Sequence, residues 1–111
     1  MKSAVSQFRK PSVVNMSLGG PANLMMDEAA RSLTRSGIHV AVSAGNDNQP
    51  ANLASPAREE TVCTVGASDI KDVRAPFSNY GTPVKVFAPG VSITSAWIGS
   101  NTVRSFSLLS H

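Results

Sequence analysis

The sequence predicts an α/β domain built on a parallel β-sheet. Two short runs of β-branched and apolar residues flank one amphipathic segment, and the connections between the three are short. A strand, a helix and a strand joined in this way form a βαβ unit, in which the two strands are parallel and the crossover is right-handed. Later apolar runs predict that further strands extend the fold.

The first strand is predicted at residues 12–17, and the Leu-Gly-Gly-Pro sequence at residues 18–21 predicts a tight turn after it. The second strand of the unit is predicted at residues 38–42. Because both runs are apolar at successive positions, they are typical of strands that are covered on two faces. The remaining extended segments are predicted at residues 62–67, 84–88 and 92–97.

The helix between the first two strands begins after Asn23, whose side chain can cap it, and ends at Gly37. Asp27 and Arg31 are four residues apart and are predicted to form an ion pair on its outer side. A spacing of three and four residues predicts which side chains face the sheet. They are Met26, Ala29, Ala30 and Leu33.

The length of 111 residues allows one domain, and the composition is that of a packed one. Hydrophobic residues make up 41% and charged residues 15%, which excludes a disordered tail, a coiled coil and a collagen-like chain. No apolar run reaches the roughly 18 residues of a membrane span, and residues 1–10 contain no apolar core of a signal peptide. We therefore expect neither a membrane span nor an export signal in this chain.

Charge and cysteine content exclude two further classes. The net charge of +3 comes from ten Lys and Arg against seven Asp and Glu, and the basic residues are scattered, so a nucleic-acid partner is not expected. Cys63 is the only cysteine, which excludes an internal disulfide and a cysteine-rich zinc cluster. Since it lies in the apolar run at residues 62–65, we expect a buried small side chain.

Two loops of small residues follow the first two strands, Ser-Leu-Gly-Gly at residues 17–20 and Ser-Ala-Gly-Asn at residues 43–46. Ligands of open parallel sheets bind beyond the carboxyl ends of the strands. Small side chains let another backbone approach, and the Asn46 amide can donate to a carbonyl oxygen, so the loops predict a surface for an extended peptide. The long loop at residues 46–61 also indicates a site.

Two alternatives remain open for these loops. They can be two ordinary turns between a strand and a helix. They can also form a phosphate cradle, because Gly19 and Gly20 precede a helix. However, neither G-x-G-x-x-G nor G-K-[ST] is present, and Pro21 removes one backbone donor.

Six short motifs along the chain together resemble one family. They are Ser-Leu-Gly-Gly at 17–20, Ser-Ala-Gly-Asn at 43–46, Ser-Pro-Ala at 55–57, Val-Gly-Ala-Ser at 65–68, Phe-Ser-Asn-Tyr-Gly at 77–81 and Phe-Ala-Pro-Gly at 87–90. In this order and spacing the chain is similar to the subtilisin-like serine proteases of the proteinase K branch, from about residue 10 to about residue 107. The resemblance implies a three-layer αβα fold.

The resemblance also implies roles for the loop residues. Asn46 would be the amide of the oxyanion hole, and the substrate would be a peptide or protein. Secretion or delivery to a vacuole would be expected for such an enzyme. The specificity pocket would be lined on one side by Ser17, Leu18 and Gly19, and on the other by Ser43, Ala44 and Gly45.

The catalytic triad of the resembled family has little counterpart here. Its chain order is Asp, His, Ser, and no segment resembles those of the Asp and the His, so residues 1–111 are expected to be a partial domain. His39 is interpreted as a structural residue of a buried strand. Ser110 falls in the register of the nucleophile, but Leu108 and Leu109 replace the expected Gly-Thr; a change of reading frame or intron read-through at Ser107 is the alternative explanation.

The family's calcium site also departs from its pattern. Proteinase K-like enzymes hold a calcium with two backbone carbonyls and an aspartate, and the corresponding residues here are Glu60, Val62 and Lys85. Because an ammonium cannot ligate calcium, the sequence predicts that this site is lost and that the chain takes no metal or other cofactor.

The function predicted from these features is that of a fragment of a subtilisin-like serine endopeptidase, which cleaves peptide bonds through an acyl-enzyme and is inactive as this chain alone. The alternative is a truncated, non-catalytic product that at most binds peptides or partners. A third candidate, a nucleotide-binding βαβ domain, would need phosphate binding for which the loops carry no motif.

Overall fold

A parallel sheet organises the chain, of which the computed structural model describes residues 11–96 and 103–106. The elements in chain order are strand β1 (Val13–Met16), strand β2 (Gly20–Pro21), helix α1 (Leu24–Arg35), strand β3 (His39–Ser43), a short 3-10 helix (Ala51–Leu53), and strands β4 (Ala54–Ser55), β5 (Cys63–Ser68), β6 (Val84–Pro89), β7 (Ile93–Ala96) and β8 (Val103–Phe106). β1, β3, β5 and β6 form a four-stranded parallel sheet in the order β1-β3-β5-β6. The predicted α/β class is confirmed.

One face of the sheet packs against α1 and forms the core. The register aligns Val14 with Val40, and it sets Val42 beside both Met16 and Thr64. Because successive side chains of a strand alternate between faces, these residues share the face that α1 covers. The buried cluster comprises Val14, Ala30, Leu33, Ile38, Val40, Val42 and Val62.

Both ends of α1 lie where the sequence predicts them. The Asn23 side chain accepts hydrogen bonds from the backbone N–H groups of Met25 (2.9 Å) and Met26 (3.2 Å). At the other end Gly37 has a φ of 85°, which an L side chain adopts only with strain. Its N–H donates to Thr34 and the next N–H to Leu33, a pairing that satisfies the last carbonyls of the helix.

The prediction of which α1 side chains face the sheet is partly wrong. Ala30 and Leu33 are buried and Met26 is half-buried, but Ala29 is exposed and Asp27 is buried in its place. The Asp27 carboxylate can be buried because the Nε of Arg58, on the loop before β5, lies 2.6 Å from its Oδ2. A charge is tolerated inside only when it is paired. The helix therefore presents apolar side chains to the sheet, and it presents the carboxylate of Asp27 to the loop.

The predicted pair of Asp27 with Arg31 is also wrong. Arg31 instead forms ion pairs with Glu28, one turn back on α1, and with Glu59. Two guanidinium nitrogens of Arg31 donate to Oε1 of Glu59, at 3.0 and 2.7 Å, while the backbone N–H and the hydroxyl of Thr61 donate to Oε2. The Arg31–Glu59 and Asp27–Arg58 pairs tie α1 to the segment that leads into β5. Sequence spacing could not predict these two pairs, because their partners are 28 and 31 positions apart.

Much of the other face of the sheet is exposed or half-buried in the described part of the chain, whereas Ala67 near the end of β5 is buried on it. Val13 is 75% and Val86 46% exposed on it. Cys63 is also exposed, so the expected buried cysteine is wrong. The apolar run at residues 62–65 alternates, with Val62 and Thr64 pointing towards α1 and Cys63 pointing away from it.

Residues 18–21 are not only a turn. Gly20–Pro21 form β2, which pairs antiparallel with β4 and aligns Gly20 with Ser55. This small ladder brings the loop after β1 against the long loop after β3, which is the contact on which the candidate site depends. Among the described residues no helix is long and apolar enough to cross a membrane.

Because Glu59 is ionised in the folded protein, the free energy of unfolding depends on pH in the acid range. Burial of Glu59 acts to raise the pKa of its carboxyl, but the hydrogen bonds from Arg31 and Thr61 outweigh burial and lower the pKa from 4.5 to about 2. Because the folded-state pKa is the lower one, the stabilisation is complete above about pH 4.5 and is lost as the pH falls towards 2. We expect Glu59→Gln to lower the free energy of unfolding at neutral pH by about 3 kcal/mol and to flatten its acid dependence.

Urea unfolding at a series of pH values between neutrality and pH 2 measures this effect. Glu60→Gln is the matched control, since the Glu60 side chain is exposed and next in sequence. An equal acid dependence in the wild-type chain and in Glu59→Gln would contradict the assigned role of the carboxylate.

Candidate substrate-binding site

A cavity of about 200 Å³ lies where the loops after β1 and β3 meet, at the carboxyl ends of these strands. Its walls are made almost entirely of small side chains and backbone. The lining residues are Gly19, Gly20, Ser43, Ala44, Gly45, Asn46, Asp47, Ala54, Ser55 and Ala57. Such a wall admits an extended backbone and a side chain of moderate size.

The structure brings together most of the residues that the sequence singles out. Gly19 from the first loop faces Ser43, Ala44, Gly45 and Asn46 from the second across the cavity. The remaining two predicted residues lie apart from it. Ser17 lines a neighbouring hollow of about 170 Å³ with Asn15, Val42, Ser43 and Val65, and Leu18 is 50% exposed and lines neither.

Ser110 lies outside the described residues. His39 is exposed, which corrects the expected buried position, and it stands at the amino end of β3. The cavity is at the carboxyl end of the same strand, about 13 Å away at the rise of a strand. His39 therefore takes no part in the cavity.

The third wall comes from the long loop after β3, which the sequence indicates as part of a site without naming its residues. Ala54, Ser55 and Ala57 of this loop line the cavity. The Ser-Pro-Ala motif includes Ser55 and Ala57. The Ser55 hydroxyl is fully buried and accepts a hydrogen bond from the backbone N–H of Asn23 at 2.8 Å, which fixes this wall to the start of α1.

The loop that carries Asn46 is held by one buried side chain, that of Asn79. Its Nδ2 donates to the carbonyl of Ala44 at 2.9 Å, and its Oδ1 accepts from the backbone N–H groups of Asp47 and Gln49, both at 3.0 Å. The backbone N–H of Asn79 donates to the carbonyl of Gly45. These four bonds bracket Asn46 on both sides in sequence, so the backbone of Asn46 is fixed.

Asn79 is itself positioned by its neighbour Ser78. The Ser78 hydroxyl accepts from the N–H of Ala67 in β5 and donates to the carbonyl of Asn79, both at 2.9 Å. Nη1 of Arg74 donates to the carbonyl of Ser78 at 2.6 Å, and its guanidinium lies over the Tyr80 ring at 4.9 Å. The motif at residues 77–81 therefore fixes the loop of the site through hydrogen bonds and does not line the cavity itself.

The Asn46 side chain has one polar atom that the described part of the chain leaves unpaired. Its Oδ1 is buried and has no hydrogen-bond partner among the described residues. A buried polar atom without a partner costs free energy, and such groups are found where a ligand, a water or a reaction makes use of them. Among the polar residues that line the cavity, which include Ser43, Asp47 and Ser55, Asn46 is the one with a buried acceptor that no described group satisfies.

Comparisons with known proteins agree with this geometry. Residues 2–109 match the subtilase family, and the chain belongs to that family. Its relatives include the alkaline serine protease ver112 of Corniculantispora psalliotae, 59% identical over 90 residues, and the subtilisin-like serine protease AsES of Sarocladium strictum, 57% identical over 91 residues. These matches confirm the resemblance to the proteinase K branch.

The matches cover most of this chain but a small part of each relative. They span 81% and 82% of the chain and 24% of each of the two fungal proteases. A cold-adapted subtilisin-like serine proteinase of known structure matches 96% of the chain and 39% of its own, with a TM-score of 0.88 and 40% identity. The chain thus has the subtilisin-like fold and spans about a quarter of the length of the curated relatives.

Gly45 tests the geometry of the loop. Its φ is 106°, and a Cβ at this position would lie 2.5 Å from Nδ2 of Asn79. Gly45→Ala therefore adds a clash with the buried amide to the strain of a left-handed backbone, and we expect a loss of about 3 kcal/mol of unfolding free energy. Chemical unfolding of the purified variants measures it.

Gly37 and Gly20 provide matched controls for this substitution. Gly37 has a similar φ of 85° and Gly20 has none of this strain, and a Cβ would meet nothing within 4 Å at either position. Gly37→Ala should cost about 1 to 2 kcal/mol and Gly20→Ala less than 1. Equal losses at Gly45 and Gly37 would show that Asn79 does not confine the loop.

Proposed function

We propose that this chain is the substrate-binding and oxyanion-hole portion of a subtilisin-like serine endopeptidase, which cleaves peptide bonds through a serine acyl-enzyme. The observation that carries the proposal is the position of Asn46 at the rim of a cavity with small-residue walls, in a loop that the Asn79 side chain bonds on both sides of it. Membership of the subtilase family and the fold support it.

The cavity suits the backbone of a peptide. Ser17, Leu18 and Gly19 are exposed between β1 and β2, and on the opposite wall Ser43 and Gly45 are half-buried while Ala44 is fully buried. An extended substrate can add to such backbone edges as a further strand, while one of its side chains enters the cavity. The substrate class is therefore a peptide or a protein.

Asn46 would act on the charge that forms during acyl transfer. Attack on the scissile carbonyl places a negative charge on its oxygen, and a donor that is already aimed at that position lowers the barrier. The Asn79 bonds on either side of Asn46 provide this rigidity, because the loop does not reorganise when the charge appears.

The nucleophile and its base are not among the cavity residues described above. A serine hydroxyl attacks only when a neighbouring base takes its proton. We propose that the 111-residue polypeptide hydrolyses no peptide bond by itself, with Ser110 matching the nucleophile in register only. For the whole protease we propose secretion or vacuolar delivery; the Thermus relative, 53% identical, is named an extracellular serine proteinase.

In the whole protease, we expect Asn46→Leu to lower kcat and leave KM nearly unchanged, because the oxyanion exists only near the transition state. The fall should be about 100- to 1,000-fold, a range already known from a subtilisin and carried over from that family member. Steady-state hydrolysis of a chromogenic peptide measures it, with Asn52→Leu, an exposed position outside the cavity, as the control. A rise in KM at constant kcat would make Asn46 a ground-state contact instead.

The inactivity of the 111-residue polypeptide is tested separately. We expect no labelling by a fluorophosphonate probe and no release of a chromogenic leaving group. Binding of a peptide inhibitor without labelling would favour the non-catalytic, peptide-binding alternative. Stoichiometric labelling at Ser110 would refute the proposed inactivity, since it requires an activated nucleophile.

A further inference from the structure

The ammonium of Lys85 lies where two backbone carbonyls converge. Its Nζ donates hydrogen bonds to the carbonyl oxygens of both Glu60 and Val62. Lys85 is in β6, and the two carbonyls belong to the segment that enters β5, so the contact joins parts of the chain that are 25 and 23 residues apart.

The two carbonyls are held in place independently of Lys85. Val62 is 1% exposed and belongs to the core cluster under α1. The segment on the other side of Glu60 is fixed through Glu59, which binds Arg31 on the helix and Thr61 in the loop. Two fixed carbonyl oxygens that point at one place form a site for a cation, because each carries a partial negative charge.

A calcium ion does not fit the residues present. Calcium takes six to eight oxygen ligands, and carboxylates supply the charge of such sites. Position 85 offers no oxygen, and its ammonium both repels a divalent cation and already binds the two carbonyls. The residues therefore conflict with the calcium site that the family implies.

We propose that Lys85 is a tethered cation that replaces a bound metal ion at the carbonyls of residues 60 and 62 and joins β6 to the start of β5. The site is complete without a metal. It follows that the carbonyl pair is a latent calcium site, which the single substitution Lys85→Asp converts into a real one by exchanging a cation for an anionic oxygen ligand. This inference is independent of proteolytic activity.

The experiment compares the wild-type protein with Lys85→Asp and Lys85→Met. Melting temperature and calcium binding by equilibrium dialysis are measured at constant ionic strength with about 10 mM calcium or magnesium, well above the dissociation constants of roughly 0.1 to 1 mM of extracellular calcium modules. Calcium should leave the melting temperature of the wild type unchanged. Both variants should melt several degrees lower without calcium, and calcium should restore Lys85→Asp alone, with one ion bound.

Asn52→Asp is the control for an added carboxylate, because Asn52 is exposed in the 3-10 helix and its variant should bind no calcium. If Lys85→Asp folds only with calcium, the dependence itself supports the proposal. A wild-type protein that binds and is stabilised by calcium would overturn it, as would a folded Lys85→Asp that binds none.

A measurement on the wild type covers the case in which neither variant folds. With ¹⁵N-labelled lysine, the Lys85 ammonium should give a nitrogen signal with slowly exchanging protons and couplings through hydrogen bonds to the carbonyls of residues 60 and 62. The signal should persist when calcium is added. Lys71 and Lys85 are both exposed residues, so Lys71 is the reference: a Lys85 ammonium that exchanges as fast as that of Lys71, or that calcium displaces, would overturn the proposal.

Discussion

The candidate site depends on the buried amide of Asn79. With both of its polar atoms it satisfies three backbone groups of the loop after β3, those of Ala44, Asp47 and Gln49. All three lose this partner if the amide is removed, and for the carbonyl of the fully buried Ala44 the loss of a hydrogen bond costs about 1 to 3 kcal/mol. The loop is thus held in one conformation by a side chain from a distant segment, and the wall of the cavity follows from that conformation.

The wall formed by Ala54, Ser55 and Ala57 is followed in sequence by residues that form ion pairs with α1. The loop that carries Ala54, Ser55 and Ala57 is followed by a segment that binds α1 through Arg58 and Glu59, each in an ion pair with a helix residue. The same segment meets β6 through the ammonium of Lys85. The small residues of this loop also pack, since Ala51 and Ala57 form a buried cluster with Ala44, and the side-chain pairs with neighbouring elements add to that packing.

The sequence predicted the features that depend on local chemistry. The helix bounds followed from Asn23 and Gly37, and the parallel sheet followed from short connections and apolar runs. The pairing of Asp27 and the exposure of Cys63 did not, because both depend on which element covers a face, and spacing along the chain does not contain that information. For the site, small residues after two predicted strands indicated two walls, and the length of the 46–61 loop indicated the third without saying which of its residues line the cavity.

The two buried polar atoms without partners have different meanings. Oδ1 of Asp27 and Oδ1 of Asn46 both lack a hydrogen bond within the described chain. The negative charge of Asp27 is balanced at its other oxygen, Oδ2, which is paired with Arg58. The unpaired Oδ1 is therefore a consequence of an ion pair that fixes the helix. The Asn46 side chain has no such compensation at its orphan oxygen, although the backbone around it is the most firmly bonded part of the site. A fold that fixes the backbone and leaves one amide oxygen unpaired favours contact of that oxygen with a donor group of a ligand or with a water, which would orient the Nδ2 donor of the same amide.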